Sequence, residues 1–139
     1  MKTKILIATH GKFAEGIMDS LRMIAGIQEN IELICVYSKQ GIDYSDLIKR
    51  KVSEHDYSTL NLLVLTDLVG GSVNNEFMKY INDYPFYLVA GLNLGLLLEL
   101  VMHKDDLNEK YIRSCCRNSQ NFIVFCNDCL ENKNEENDF

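Results

Sequence analysis

The residues best suited to chemistry in this chain are His10, followed by Gly11, then Asp67, and the run Gly70-Gly71-Ser72. Imidazole titrates near neutrality, so an unprotonated ring nitrogen is available as a nucleophile at ordinary cellular pH. A carboxylate that accepts from one ring nitrogen fixes the tautomer and leaves the other nitrogen to attack. Successive glycines that open a helix, with a hydroxyl beside them, suit the oxygens of a phosphoryl group. The chemistry these types add up to is phosphoryl transfer through a histidine. Each signal alone is weak. A lone His is usually a surface or structural residue, an Asp often caps a loop, and Gly-Gly-Ser also makes an ordinary loop ahead of a capped helix. Their weight therefore depends on whether the fold brings them to one place.

The elements that must do so alternate along the chain. Ile5-Leu6-Ile7-Ala8 is a continuous apolar run, the pattern of a strand covered on both faces, and Gly11 breaks it. Phe13, Ile17, Leu21 and Ile24 follow at helical spacing, with Gly26 as a stop. Ile31 to Tyr37 reads as a second strand and Asp43 to Glu54 as a second helix, with Asp43 as N-cap and Leu47, Ile48 and Val52 facing inward. Leu62 to Leu65 is a third buried strand that ends at Thr66-Asp67, and Ser72 caps a third helix carrying Phe77, Met78 and Ile81. Pro85 marks the start of a fourth strand, Phe86 to Ala90. Leu94 to His103 reads as a helix capped by Asn93, Leu107 to Arg117 as another, and Phe122 to Phe125 as a last strand.

Buried strands alternating with helices specify an α/β fold: an open parallel sheet of about four strands with helices on both faces. Ligands of such sheets bind beyond the carboxyl ends of the strands. That rule selects Thr9-His10-Gly11, the loop from Thr66 to Ser72, and Gly91-Leu92-Asn93. First and third strands are commonly neighbours in doubly wound sheets, which would put Asp67 within reach of the His10 ring.

Composition narrows the class. Among 139 residues, 47% are hydrophobic and 24% charged, which is ordinary globular usage, and a net charge of −6 argues against a nucleic-acid partner. The apolar run from Leu94 to Met102 is interrupted by Glu99 and is too short to span a bilayer. The N-terminus leads straight into a strand, with no signal-peptide pattern, so a cytoplasmic location is expected. The five cysteines, Cys35, Cys115, Cys116, Cys126 and Cys129, then read as reduced thiols. Cys126 and Cys129 have CxxC spacing, but far from a first-strand redox position, and C-C with CxxC is not a common zinc pattern. Neither GxGxxG after the first strand nor GxxxxGK[ST] occurs, and no acidic cluster ends the first strand, so no metal or nucleotide cofactor is expected. One domain over residues 1–130 and an acidic, disordered tail over 131–139 are expected.

Three segments, taken together, resemble a known family. Ile5-Leu6-Ile7-Ala8-Thr9-His10-Gly11, Asp67-Leu68-Val69-Gly70-Gly71-Ser72 with Asn74-Asn75, and Val89-Ala90-Gly91-Leu92-Asn93 before a Leu-rich helix look like the IIA domain of mannose-type sugar phosphotransferase systems (PTS). The likeness runs from about residue 3 to residue 125, in order and spacing. It implies that His10 accepts a phosphoryl group from the phosphocarrier HPr and passes it to a IIB protein, in association with membrane IIC and IID components. It implies that Asp67 orients His10, while Ser72 and the amides around Gly71, with Gly11 and Gly70 alongside, hold the phosphate. It also implies a homodimer, with Phe122 to Phe125 as a strand exchanged between subunits. Val73 stands where the family often has Pro, and IIB is expected on a separate chain. Phe13, Met23, Leu68 and Val69 are candidates for an apolar docking rim, and Lys12 and Lys104 for attracting phosphate. The phosphotransfer subunit of dihydroxyacetone kinase resembles the same fold but usually lacks the double Gly before Ser. A regulatory module switched by phosphorylation of the same histidine is a second alternative, and a binding protein whose carboxyl-edge pocket merely holds an anion is a third.

Overall fold

In a computed structural model that describes residues 1–130, the four apolar runs form strands β1 (Thr3–His10), β2 (Ile31–Val36), β3 (Asn61–Thr66) and β4 (Tyr87–Ala90). All pairings are parallel and the spatial order is β2-β1-β3-β4. Consecutive strand residues point to opposite faces, so each central strand supplies two cores. Ile5, Ile7, Leu63 and Leu65 face one way, and Leu6, Ala8, Leu62 and Val64 the other. Fully burying one such Leu or Ile contributes about 1.5–3 kcal/mol.

Helices α1 (Phe13–Ala25), α4 (Leu94–Met102) and α5 (Glu109–Ser119) cover the first face. Helices α2 (Tyr44–Ser53) and α3 (Ser72–Met78) cover the second. The α/β class, the strand number and the two helical layers agree with the sequence. On α1 the buried stripe is Ala14, Ile17, Met18 and Leu21, one step round from the expected one, which leaves Phe13 and Ile24 exposed. Asp43, Asn93 and Asn108 each cap a helix by accepting from the amide three residues on, at 3.0, 2.9 and 2.8 Å.

Several expectations change. Ser72 does not cap α3: it is the first helical residue, Gly71 stands at the N-cap with no side chain to bond, and Ile81 lies beyond the helix end at Met78. β2 ends at Val36, because Tyr37 turns out of the strand with a left-handed φ of 64°. Phe122 to Phe125 is not a fifth strand within the single chain: Gln120–Phe122 is a 3₁₀ turn, and Ile123, Val124 and Phe125 belong to no strand. A strand needs a partner edge, and Phe122 instead lies against α4. A Cβ on Gly95 would come within 2.6 Å of its ring. The Ile123 and Phe125 side chains are exposed. The tail expectation for 131–139 lies outside the described residues. No helix among the described residues is long and apolar enough to cross a membrane.

Candidate active site at the carboxyl edge

β1 and β3 are direct neighbours, with Ala8 in register with Thr66. The next residue of β3 is therefore delivered beside Thr9 and His10. A single oxygen of Asp67, Oδ2, accepts both the His10 backbone N–H and the His10 ring Nδ1, each at 2.9 Å. Main chain and ring are thus held by the same carboxylate. On the far side of the ring, Nε2 lies 3.1 Å from the hydroxyl of Ser72, the first residue of α3.

Burial by itself raises the Asp67 pKa. The two hydrogen bonds from His10 and the charge of its ring outweigh that and hold the carboxyl below the usual carboxylate range. An ionised Asp67 only accepts, so the bonding pattern assigns the proton to Nδ1 and leaves the Nε2 lone pair facing Ser72. The His10 side chain is 42% exposed and that of Asp67 17%, so the imidazole is open to solvent while the carboxylate behind it is largely covered.

The loop between β3 and α3 is fixed by its neighbours. The buried Thr66 hydroxyl donates to Asn74 Oδ1 at 2.7 Å, and Asn75 Nδ2 donates to the Gly70 carbonyl at 3.2 Å. Gly71 sits close to its neighbours: a Cβ there would be tight against the Leu68 carbonyl at 3.2 Å and in contact with His10 Cε1 at 3.4 Å. Its own amide donates to Leu68 O. Among the described residues the amides of Ser72, Val73 and Asn74 donate to nothing, and Gly71 offers no side chain to cap them. The first-turn amides of α3 are therefore available to an anion. Gly11 likewise has its N–H engaged, by Val36 O at 2.8 Å, so it shapes the turn and offers no amide to a ligand.

Of the three loops selected from the sequence, two meet at His10. In the third, Gly91 and Leu92 donate to the Thr66 carbonyl and brace the end of β3. Phe13, Met23, Leu68 and Val69 are exposed, whereas Lys104 lines a hollow at the amino edge, with Lys2 and Thr3. His55 bonds to Leu60 O, and His103 packs on Tyr111, neither near the site. All five cysteines are free; burial pushes Cys115 up to about 11, helped by the charge of Glu99. No cluster of three metal-ligating side chains occurs among the described residues.

One site residue escaped the sequence reading. The Tyr37 hydroxyl donates to Ser72 Oγ at 3.2 Å, and its ring centroid lies 5.8 Å from that of His10. The signal was present in the topology, since β2 flanks β1 on the side away from β3 and its end must reach the same edge.

Residues 4–114 match the family described as PTS system fructose IIA component, EIIA-man. The chain belongs to that family. It is 33% identical over 110 residues, 76% of its length, to the PTS system mannose-specific EIIAB component of Escherichia coli K12, and spans 33% of that relative. It is 28% identical over 134 residues to the PTS system fructose-specific EIIA component of Bacillus subtilis, covering 91% of this chain and 88% of the relative. A solved Klebsiella pneumoniae structure, described as a phosphoenolpyruvate-dependent sugar PTS permease, superposes with a TM-score of 0.85 at 34% identity, covering 94% of this chain and 95% of the other. The chain is thus a mannose-family PTS IIA component. The chain spans about a third of the length of the mannose-specific relatives it matches.

Proposed function

We propose that this IIA component is a cytoplasmic phosphoryl carrier that takes a phosphoryl group from HPr on Nε2 of His10 and delivers it to a IIB protein. The observation that carries this reading is the His10 ring held between Asp67 Oδ2 on Nδ1 and Ser72 Oγ on Nε2. The Nε2 lone pair attacks phosphorus in the phosphohistidine of HPr. The donor's N–P bond breaks, and its electron pair returns to the donor imidazole. His10 keeps the Nδ1 proton throughout, so its ring becomes cationic as the new N–P bond forms, and Asp67 offsets that charge at 2.9 Å. The Ser72 hydroxyl and the uncapped amides beside it are placed to receive charge on the transferring oxygens. Transfer to IIB is the same step reversed, with the acceptor imidazole in the place of the donor.

The exposed Phe13, Leu68 and Val69 offer a rim on which both partners dock, one after the other. The exposed Ile123, Val124 and Phe125 suit a homodimer in which this segment pairs with a second copy. Association with membrane IIC and IID components follows from the carrier role.

Incubation with phosphoenolpyruvate, enzyme I and HPr tests the reading. The expected product carries one acid-labile, base-stable phosphoryl group per chain, absent in His10→Ala. Undiminished labelling of His10→Ala, or no transfer from HPr to the unaltered chain, overturns it.

A further inference from the structure

Tyr37 has no packing reason to stand where it does. Its side chain is 60% exposed, and its backbone adopts φ 64°, a conformation that bulky L-residues avoid. The turn is imposed from outside. Gly11 N–H holds Val36 O, Ser38 N–H holds Cys35 O, and Lys39 N–H donates to the Tyr44 hydroxyl at 3.1 Å. The Tyr44 ring also meets the Tyr37 ring edge-on, at a centroid distance of 5.9 Å. The result lays the Tyr37 ring beside His10 and its hydroxyl on Ser72.

The hydrogen bonds then run in one direction. Tyr37 donates to Ser72 Oγ, which leaves the Ser72 proton to point at His10 Nε2, while His10 Nδ1–H points at Asp67. We propose that Tyr37 is a positioning residue of phosphoryl transfer, holding the Ser72 hydroxyl where it can pass from Nε2 to an oxygen of the arriving phosphoryl group. The inference rests on the reading of His10 as phosphoryl acceptor. When the N–P bond forms at Nε2, the lone pair that accepted from Ser72 is consumed. Ser72 then turns its hydrogen to a phosphoryl oxygen, while Tyr37 still holds Oγ. No proton changes owner. Without Tyr37 the Ser72 hydroxyl is held by His10 Nε2 alone, and once that lone pair is consumed its ordering must be supplied during the transfer itself.

The test is single-turnover transfer from phosphorylated HPr to the full chain, in unaltered, Tyr37→Phe, Ser72→Ala and doubly substituted forms. Tyr37→Phe keeps the ring and loses the hydroxyl. It is expected to slow the transfer step about 3- to 10-fold, the worth of one neutral hydrogen bond, with the concentration of HPr giving half-maximal rate unchanged. In the Ser72→Ala background the same change should have no further effect, since Tyr37 acts through Ser72. The NMR resonance of His10 Nε2 should shift in Tyr37→Phe but not when Ser72 is already Ala, a readout that needs no donor. An equal slowing in both backgrounds, a change confined to the half-maximal HPr concentration, or a full rate in Tyr37→Phe would overturn the proposal alone. Failure of the unaltered chain to take up label would overturn the carrier reading and this proposal with it, so the two failures are distinguishable.

Discussion

One carboxylate oxygen governs the candidate site, because Asp67 Oδ2 takes both His10 bonds while the buried Oδ1 has no partner among the described residues. In Asp67→Asn the amide oxygen can still accept both bonds, so orientation survives and charge is lost. The loss of charge-assisted bonding should slow labelling of His10 about 10- to 100-fold, measured as the rate of phosphoryl uptake from HPr. The same residue contributes to pH-dependent stability. Its folded pKa lies below the unfolded value of about 3.9, so its contribution is complete above that pH and is lost as pH falls through the folded pKa. Urea unfolding should therefore show the unaltered chain's advantage over Asp67→Asn shrinking only below about pH 4. Gly71→Ala should press its new Cβ on the Leu68 carbonyl, 3.2 Å away, and shift the loop that carries Ser72. Slowed labelling with a nearly unchanged melting temperature is the expected outcome. His10, Asp67 and Ser72 were visible from residue type and spacing. Tyr37 was not, because nothing in a tyrosine after an apolar run reports a left-handed turn imposed by three neighbouring contacts.

At the scale of the elements, the short helix α3 is positioned by the Thr66–Asn74 hydrogen bond, which ties it to the end of β3 beneath the site. Both side chains are buried. Asn74→Ala leaves the Thr66 hydroxyl without its acceptor, a desolvation cost of about 1–3 kcal/mol. A lowered urea midpoint with an unchanged slope would register this. Labelling should slow as well, because Ser72 moves with the first turn. The helix starts at Asp43 and Asn93 were legible because an N-cap is a local device, a side chain bonding an amide three residues away. The shift of the buried stripe on α1 was not. Phe13 and Ile24 share the helical period of the core positions, and only the crossing of α1 over the sheet decides which side they take.

For the whole molecule, the exposed run Ile123, Val124 and Phe125 is a departure from a self-sufficient domain. If a second copy covers them, sedimentation should show a dimer, and Ile123→Glu should shift it toward monomer because pairing would bury the new charge. A monomeric unaltered chain would refute the dimer. By itself, the sequence determined the α/β class, the order of strands and helices from β1 to α5, and the three residue types on which the proposed chemistry depends. Those features are carried by periodicity, by local caps and by functional groups, all written in consecutive residues. Only the tertiary structure decided that β1 lies against β3, that one Asp67 oxygen holds both the His10 backbone N–H and its ring Nδ1, and that the Gly71 and Gly11 amides are engaged within the protein. It alone placed Tyr37 on Ser72. These are contacts between segments far apart in the chain, chosen by how two helical layers pack on a shared sheet, and no local pattern encodes them.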